Sequence, residues 1–384
     1  MQRALVLAGG GAKGSYQVGV WRALQELGWR PDIITGTSVG CLNGAMFVLD
    51  AYETARDMWL TIGDEQIMTL PEGSGLPRLS AFVQDLIRQG GLDVTPLEQI
   101  VDRVLDEDAL RAAPIAFGLV TVEQRGLRAR ELTLAEIPQG MVKDYLMASA
   151  ACFPAIRPRT IDGKKFIDGG YADNMPFRLA QRMGAEELLC VDVDGLGLTH
   201  RNRTGLPTTT IESWWDLGEL LRFDPAVARR NMELGYLDAY RAFGRLRGTA
   251  YGVQPENAGP RLDALRALLE RVLVPLCKAV PALELAARGA VSRFRGGDEP
   301  LAWLEAAAHT AGVDPTRPYT ADELAAAFVR AYPLEKYRRM DGLFAPDGPE
   351  AAAIALAGVQ PAEFLAAAAF RALSPEVSIS HEDV

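Results

Sequence analysis

The chain has 384 residues, enough for a sizeable core and two domains. Hydrophobic residues make up 48% and charged residues 23%, an ordinary balance for a soluble globular protein. The formal net charge of −10, with no visible basic stripe, argues against nucleic acid as the main partner and against a tight hold on anionic membrane by overall charge.

The N-terminus, MQRALVLAGGG, has a short apolar run that ends in glycines, unlike a signal peptide. No window approaches about 18 uninterrupted apolar residues. The nearest, Ala351 to Ala372, is broken by Gln360, Pro361 and Glu363. The expected location is therefore cytoplasmic. Cys41, Cys152, Cys190 and Cys277 are scattered without a C-x-x-C pair, which suits reduced thiols in a core.

Ala4 to Leu7 reads as a buried parallel strand. After a glycine loop, Val18, Trp21, Leu24 and Leu27 recur at helical spacing until Gly28 stops the helix. Asp32 to Thr35 reads as a second strand, entering Gly36-Thr37-Ser38-Val39-Gly40 and then a helix through Leu42, Ala45, Met46 and Leu49. This is the start of a parallel sheet with helices on its faces. Residues 51 to 92 read as mixed helix and loop, with a soft region at PEGSGLP. Thr95-Pro96-Leu97-Glu98 carries a helix start, with Thr95 as cap and Glu98 as its box partner.

PIAFGLVTVE and LRARELTL form two strands joined through Gly126, and Met141 to Cys152 a helix ending at Phe153-Pro154. Asp162-Gly163 signals a tight hairpin, and LLCVDVDG a further buried strand. Leu217 to Phe243 reads as mostly helical. Gly, Pro and Asn gather between Thr249 and Pro260, and beyond them the chain is rich in Ala, Leu and Arg with no strand signal. The expected division is a catalytic domain at 1–248 and a helical domain at 249–384.

Gly36 to Gly40 is G-x-S-x-G between a strand and a helix. In that setting a sharp turn projects Ser38 at the carboxyl end of the sheet, with a helix N-terminus beneath it. Gly36 and Gly40 provide the small residues the turn needs. A serine nucleophile needs a base, and the chain has three histidines, His200, His309 and His381. His200 follows a strand, and Ser38, Asp168, His200 is the chain order of an α/β-hydrolase. Against it, only one strand precedes the serine, and His200 sits in the polar run THRNRTG. The other base candidate is Asp168, at the end of an apolar strand and followed by Gly169-Gly170, with Asp192 and Asp194 as competitors. A free aspartate, with pKa near 3.9, is a poor base unless water is excluded around it.

Gly9-Gly10-Gly11-Ala12-Lys13-Gly14, then Gly36-Thr37-Ser38-Val39-Gly40, then Asp168-Gly169-Gly170, in that order, resemble the three signature blocks of the patatin-like phospholipases. ASAACFPAIRP (Ala148 to Pro158), Asn174 and Pro176 are similar to the family's continuation. The resemblance covers roughly residues 1 to 245. Ala8 departs from it, standing where the family often has an acidic or hydroxyl residue. The resemblance implies a three-layer α/β/α core with a mainly parallel sheet, here followed by an all-helical C-terminal domain. It implies lipid acyl-ester hydrolysis by a Ser38–Asp168 dyad. The loop from Gly9 through Gly14 would form the oxyanion hole, and no metal or organic cofactor would be required. Lys13 is a candidate to reinforce that positive potential.

Two readings compete with this one: an esterase that uses His200, and a nucleotide-binding module on the Gly9–Gly14 loop. The second wants an acidic residue ending the second strand, where Gly36-Thr37-Ser38 stands instead. The expected partner is a lipid or acyl-ester substrate, with transient contact to a membrane surface as a weaker expectation. Trp214-Trp215, Leu217, Leu220, Leu221 and Phe223 read as core first and as an interfacial lid second. The helical tail is a candidate homodimer surface.

Overall fold

The computed structural model describes residues 1–67, 91–255, 259–268, 270, 291–294, 299–340 and 361–374. PEGSGLP, Cys277 and His381 lie outside these residues. The chain divides into two compact units, Met1–Ala242 and Phe243–Val384.

The first unit is built on an eight-stranded mixed sheet. Its strands are β1 (Arg3–Leu7), β2 (Ile33–Thr37), β3 (Ala116–Glu123), β4 (Arg128–Thr133), β5 (Arg159–Ile161), β6 (Lys164–Asp168), β7 (Glu187–Asp192) and β8 (Thr208–Glu212). β1 lies parallel to β2 and β7, β2 to β3, and β7 to β8, while β4, β5 and β6 pair antiparallel. All five residues of β2 are buried, as are four of the five in β1, so helices cover both faces of the centre. These helices are α1 (Ser15–Glu26), α2 (Val39–Val48), α3 (Tyr52–Trp59), α4 (Asp64–Ile67), α5 (Thr95–Val104), α6 (Glu107–Ala112), α7 (Val142–Ser149), α8 (Phe177–Arg182) and α9 (Pro225–Ala242).

Most of the expected elements are present, with three corrections. Residues 217 to 224 are irregular, and the helix starts only at Pro225. Gly218 at φ +90 and the proline account for that boundary. β8 is a strand that the pattern did not reveal. Only Ile211 of its five residues is buried, so this edge strand lacks the alternation that would announce it. At the start of α5, Asp93 rather than Thr95 is the acceptor. It takes the Thr95 N–H at 3.1 Å and hydroxyl at 2.8 Å, and Glu98 turns away to Arg159.

β3 is the strand that assembles the centre. β4 pairs along one edge of it, from Gly118 to Glu123, so β2 and β6 share the other edge end to end. Parallel β2 stops with Thr37 opposite Val120, and antiparallel β6 stops with Asp168 opposite Thr121. Two residues 131 positions apart (168 − 37) thus face neighbouring residues of one strand.

The second unit is helical, with α10 (Pro260–Leu268), α11 (Glu299–Thr310), α12 (Ala321–Ala331), α13 (Leu334–Met340) and α14 (Pro361–Leu373) among the described residues. Thr320 and Glu323 form a capping box at the start of α12. Buried Glu305 gathers the N–H groups of Thr249, Ala250 and Tyr251 at 2.8–2.9 Å. No described helix is long and apolar enough to cross a membrane.

In the first unit α1 and α9 meet backbone to backbone. A Cβ at Gly19 would strike the Met232 carbonyl, and one at Gly235 the Tyr16 carbonyl. Gly235→Ala must push the two helices apart, and overpacking of this kind costs about 1–3 kcal/mol. A urea titration should show a lower midpoint for Gly235→Ala. An unchanged midpoint would contradict this packing.

Candidate active site

Ser38 follows the last residue of β2 and precedes the first of α2, at φ +55 and ψ −128. This is a sparsely populated conformation for a residue with a side chain. Close packing holds it there. A Cβ at Gly36 would lie 2.5 Å from the Gly40 carbonyl, and one at Gly40 would meet the carbonyl oxygens of Leu7 and Ala8. The glycines of G-x-S-x-G therefore serve a backbone crossing, in which β1, β2 and the first turn of α2 touch.

Ser149, at the end of α7, fixes the turn from the other side. Its hydroxyl donates to the Val120 carbonyl at 2.6 Å and accepts the Ser38 N–H at 2.9 Å. Thr37 donates its hydroxyl to the Asp173 carbonyl at 2.8 Å, tying the serine turn to the loop after Asp168. Beneath the glycine loop runs a buried amide chain. Gln17 donates to the Ala8 carbonyl at 2.7 Å, Asn43 to the Gly14 carbonyl and to Gln17 at 2.9 Å each, and the Trp59 indole to Asn43 at 3.1 Å. These supporting residues have no motif of their own. Only the Ala-Ser-rich stretch before Cys152 hinted at Ser149.

Asp168 is 5% exposed and lines the same cleft as Ser38. Burial lifts its pKa from the ordinary carboxylate range to about 6. The Ser38 hydroxyl and the Gly170 N–H offset part of that rise. The close, aligned hydrogen bond is the one from Gly170 N–H, at 2.8 Å, and the serine contact is looser. Hydrogen bonds of this kind commonly tighten only when a substrate is bound. A Cβ at Gly169 would press on the Val120 carbonyl, so this glycine lets the aspartate loop lie against β3. Gly170 supplies the amide just described.

The glycine loop narrows to two useful amides. Gly9 N–H donates to the Asn174 carbonyl at 3.3 Å, Ala12 N–H to the Leu220 carbonyl at 2.8 Å, and Lys13 N–H to the Gly10 carbonyl at 3.1 Å. Gly14 lies against Val39 and Trp59. Gly10 and Gly11 line the cleft beside Ser38, and among the described residues neither amide has an acceptor. The Lys13 ammonium is turned to the Asp194 carbonyl at 2.8 Å.

The cleft spans about 840 Å³ counting the space open to solvent, and its walls are mostly apolar, including Leu42, Met46, Trp59, Ile62, Leu97 and Phe223. Leu220 and Leu221 also line it. Trp214 and Trp215 stack edge to face at 5.0 Å and are half-buried. The apolar cluster read from the sequence thus divides between the cleft wall and the region of the tryptophan pair. Cys152 lines the cleft too, but burial pushes its thiol up to about 11, which leaves it protonated and a poor nucleophile at neutral pH.

His200 is exposed, with Nε2 2.8 Å from the Ala172 carbonyl, and lines a different cavity from that of Ser38 and Asp168. Asp192 caps the Asp194 N–H at 2.9 Å, and neither lines the Ser38 cleft. His309 belongs to the second unit, where burial lowers its pKa. Among the described residues no group of three or more His, Cys, Asp or Glu side chains is placed to hold a metal ion.

The fold and site define a class: an α/β/α domain whose turn after the second strand presents a strained serine beside a buried carboxylate over an apolar cleft. More narrowly, residues 5–180 match the family model of the patatin-like phospholipases, and this segment is a patatin-like phospholipase domain. Patatin-like phospholipase domain-containing protein 7 of Mus musculus is 26% identical over 280 residues, covering 69% of this chain and 19% of that protein. Lysophospholipase NTE1 of Mycosarcoma maydis is 30% identical over 227 residues, covering 59% of this chain and 11% of that protein. The chain thus spans less than a fifth of the length of either curated relative. The solved structure of VipD from Legionella pneumophila covers 100% of this chain and is 93% covered itself, at 14% identity and a TM-score of 0.40.

The strain at Ser38 has a measurable consequence. A glycine adopts positive φ without penalty, whereas an alanine keeps it. Ser38→Gly should therefore be more stable than Ser38→Ala by about 1 kcal/mol in urea unfolding. The reverse order would show that the turn is not strained.

Proposed function

We propose that the protein is a serine hydrolase of lipid acyl esters, working through a Ser38–Asp168 dyad and an acyl-enzyme. The observation that carries this is the shared cleft, with mostly apolar walls and a buried carboxylate beside a strained serine. In the first half-reaction the Ser38 hydroxyl attacks the ester carbonyl and Asp168 takes its proton. The Gly10 and Gly11 amides, at the N-terminal end of a short helical turn, meet the oxyanion of the tetrahedral intermediate. Asp168 returns the proton to the leaving alcohol. In the second half-reaction it takes a proton from the water whose oxygen attacks the acyl carbonyl, and it returns that proton to Ser38 Oγ as the bond to the serine breaks and the fatty acid leaves.

Desolvation is what makes aspartate usable here. With its pKa near 6, Asp168 is mostly ionised at neutral pH and yet a stronger base than an exposed carboxylate. The relatives named phospholipase or lysophospholipase fit a phospholipid substrate. Contact with a membrane surface follows from that substrate, and the work takes place on the cytoplasmic side. The helical unit is the region we assign to self-association.

Hydrolysis of a short-chain nitrophenyl ester tests this reading. Ser38→Ala and Asp168→Asn should each lose at least about 1000-fold in kcat/KM, while His200→Ala stays near the parent. Loss in His200→Ala with activity kept in Asp168→Asn would favour the histidine-dependent esterase. The base must be ionised, so parental kcat/KM should rise with pH through about 6 and level off above it. The same raised pKa means that the folded state binds the proton more tightly than the unfolded chain. The Asp168 contribution should therefore make the protein less stable as pH rises from about 4 to 6. A flat rate profile across that range would exclude Asp168 as the base.

A further inference from the structure

Seven large apolar side chains are exposed among the described residues, and three of them stand together. They are Tyr171 at 43% exposed, Leu196 at 79% and Leu198 at 58%. Tyr171 follows the Gly169-Gly170 pair directly, and Leu196 belongs to the rim of the Ser38 cleft. Their backbone is held firmly. Leu198 N–H donates to the Gly170 carbonyl at 2.7 Å, and Asn174 N–H to the Leu198 carbonyl at 2.8 Å. Gly195 packs so closely on the Gly9 carbonyl that a Cβ there would strike it. The leucines therefore project from a loop that is pinned to the catalytic loops, and little order is lost when they are buried.

Immediately beyond Leu198 the surface changes character. A separate cavity is lined by Arg178, His200, Arg201 and Arg203. Among the described residues none of the three arginines makes an ion pair. The carboxylate in the lining is Asp173, which is 5% exposed and accepts the Met175 N–H at 3.1 Å. A chain of net charge −10 thus gathers three guanidinium groups in one place against a single buried carboxylate, Asp173, whose pKa burial raises and the nearby His200 and Arg178 charges pull down, beside apolar side chains at the mouth of the cleft. The charge total hides this patch, because the three arginines come from α8 and from the 200–204 loop and meet only in the fold.

We infer that this face is the membrane-docking surface, with Leu196, Leu198 and Tyr171 entering the interface of an anionic bilayer and Arg178, Arg201 and Arg203 holding lipid phosphates. Guanidinium groups suit phosphate geometry, and apolar tips beside a basic cluster suit the boundary between headgroups and acyl chains. The inference rests on the acyl-hydrolase reading for its choice of occupant. A lipid leaving the bilayer here reaches Ser38 past Leu196 with its acyl chain never fully exposed to water.

Binding is separated from turnover by using vesicles of dialkyl ether lipids, which have no ester to cleave. One set is phosphatidylcholine alone and the other contains equal parts of phosphatidylglycerol. Sedimentation with Arg178→Gln/Arg201→Gln/Arg203→Gln and with Leu198→Ser is compared with the parent, alongside hydrolysis of a soluble nitrophenyl ester. The parent should prefer the anionic vesicles. The triple variant should bind them about 100-fold more weakly, roughly 5-fold for each arginine, and Leu198→Ser about 10-fold more weakly. Both should keep soluble-ester activity. Equal parental affinity for the two vesicle types, or unchanged binding in the triple variant, overturns the surface. Inorganic phosphate that protects the protein through the arginines while vesicles do not bind would overturn it as well, and assign the cavity to a free anion. If the parent binds anionic vesicles through these residues but cleaves no soluble ester, the docking surface stands and the hydrolase reading falls.

Discussion

The backbone crossing at Gly40 is the constraint on which the rest of this structure depends. The first turn of α2 lies against the carbonyls of Leu7 and Ala8, closer than any side chain would permit. That contact forces β2 to leave the sheet through a sharp turn, and the turn forces Ser38 to positive φ. The serine then points away from the packed backbone and into the cleft. Ser149 holds the Ser38 amide and β3 in one grip, so the strain cannot relax by moving the turn outward.

β3 does the second part of the assembly. Because β4 covers its other edge, β2 and β6 must share the remaining one, and their ends meet at Val120 and Thr121. A parallel strand brings the serine and an antiparallel strand brings the aspartate. Glycine 169 then lets the aspartate loop settle against the Val120 carbonyl, and burial raises the carboxyl pKa. The raised pKa of Asp168 thus follows from its burial where the ends of β2 and β6 meet.

Much of the fold was legible, because its centre is made of short apolar runs separated by glycine turns. β1, β2, β3 and β7 have few polar residues to confuse them, and Asp162-Gly163 turns with both residues at positive φ, as that pair suggests. β8 was hidden because an edge strand with one buried residue carries no pattern. The irregular run before Pro225 was misread as helix because Leu217, Leu220 and Leu221 fall at helical spacing while serving the core and the cleft wall. At the site, Ser38 and Asp168 stand in blocks that sequence can recognise. Which amides of the glycine loop remain available was not readable, since the acceptor that occupies Ala12 N–H is Leu220, more than two hundred residues away. Gln17 and Asn43 were equally silent, because each donates to a backbone carbonyl that carries no residue identity, while Ser149 was marked only by the Ala-Ser-rich stretch around it.

The central claim is that Ser38 is a nucleophile activated by Asp168, and covalent labelling tests it most directly. The protein is treated with a fluorophosphonate, and the modified peptide is found by mass spectrometry in the parent and in Asp168→Asn. The account predicts one stoichiometric adduct on Ser38 in the parent and labelling slowed by at least about 100-fold in the variant. An adduct on another residue, or a Ser38 adduct that forms equally fast without the carboxylate, would contradict it.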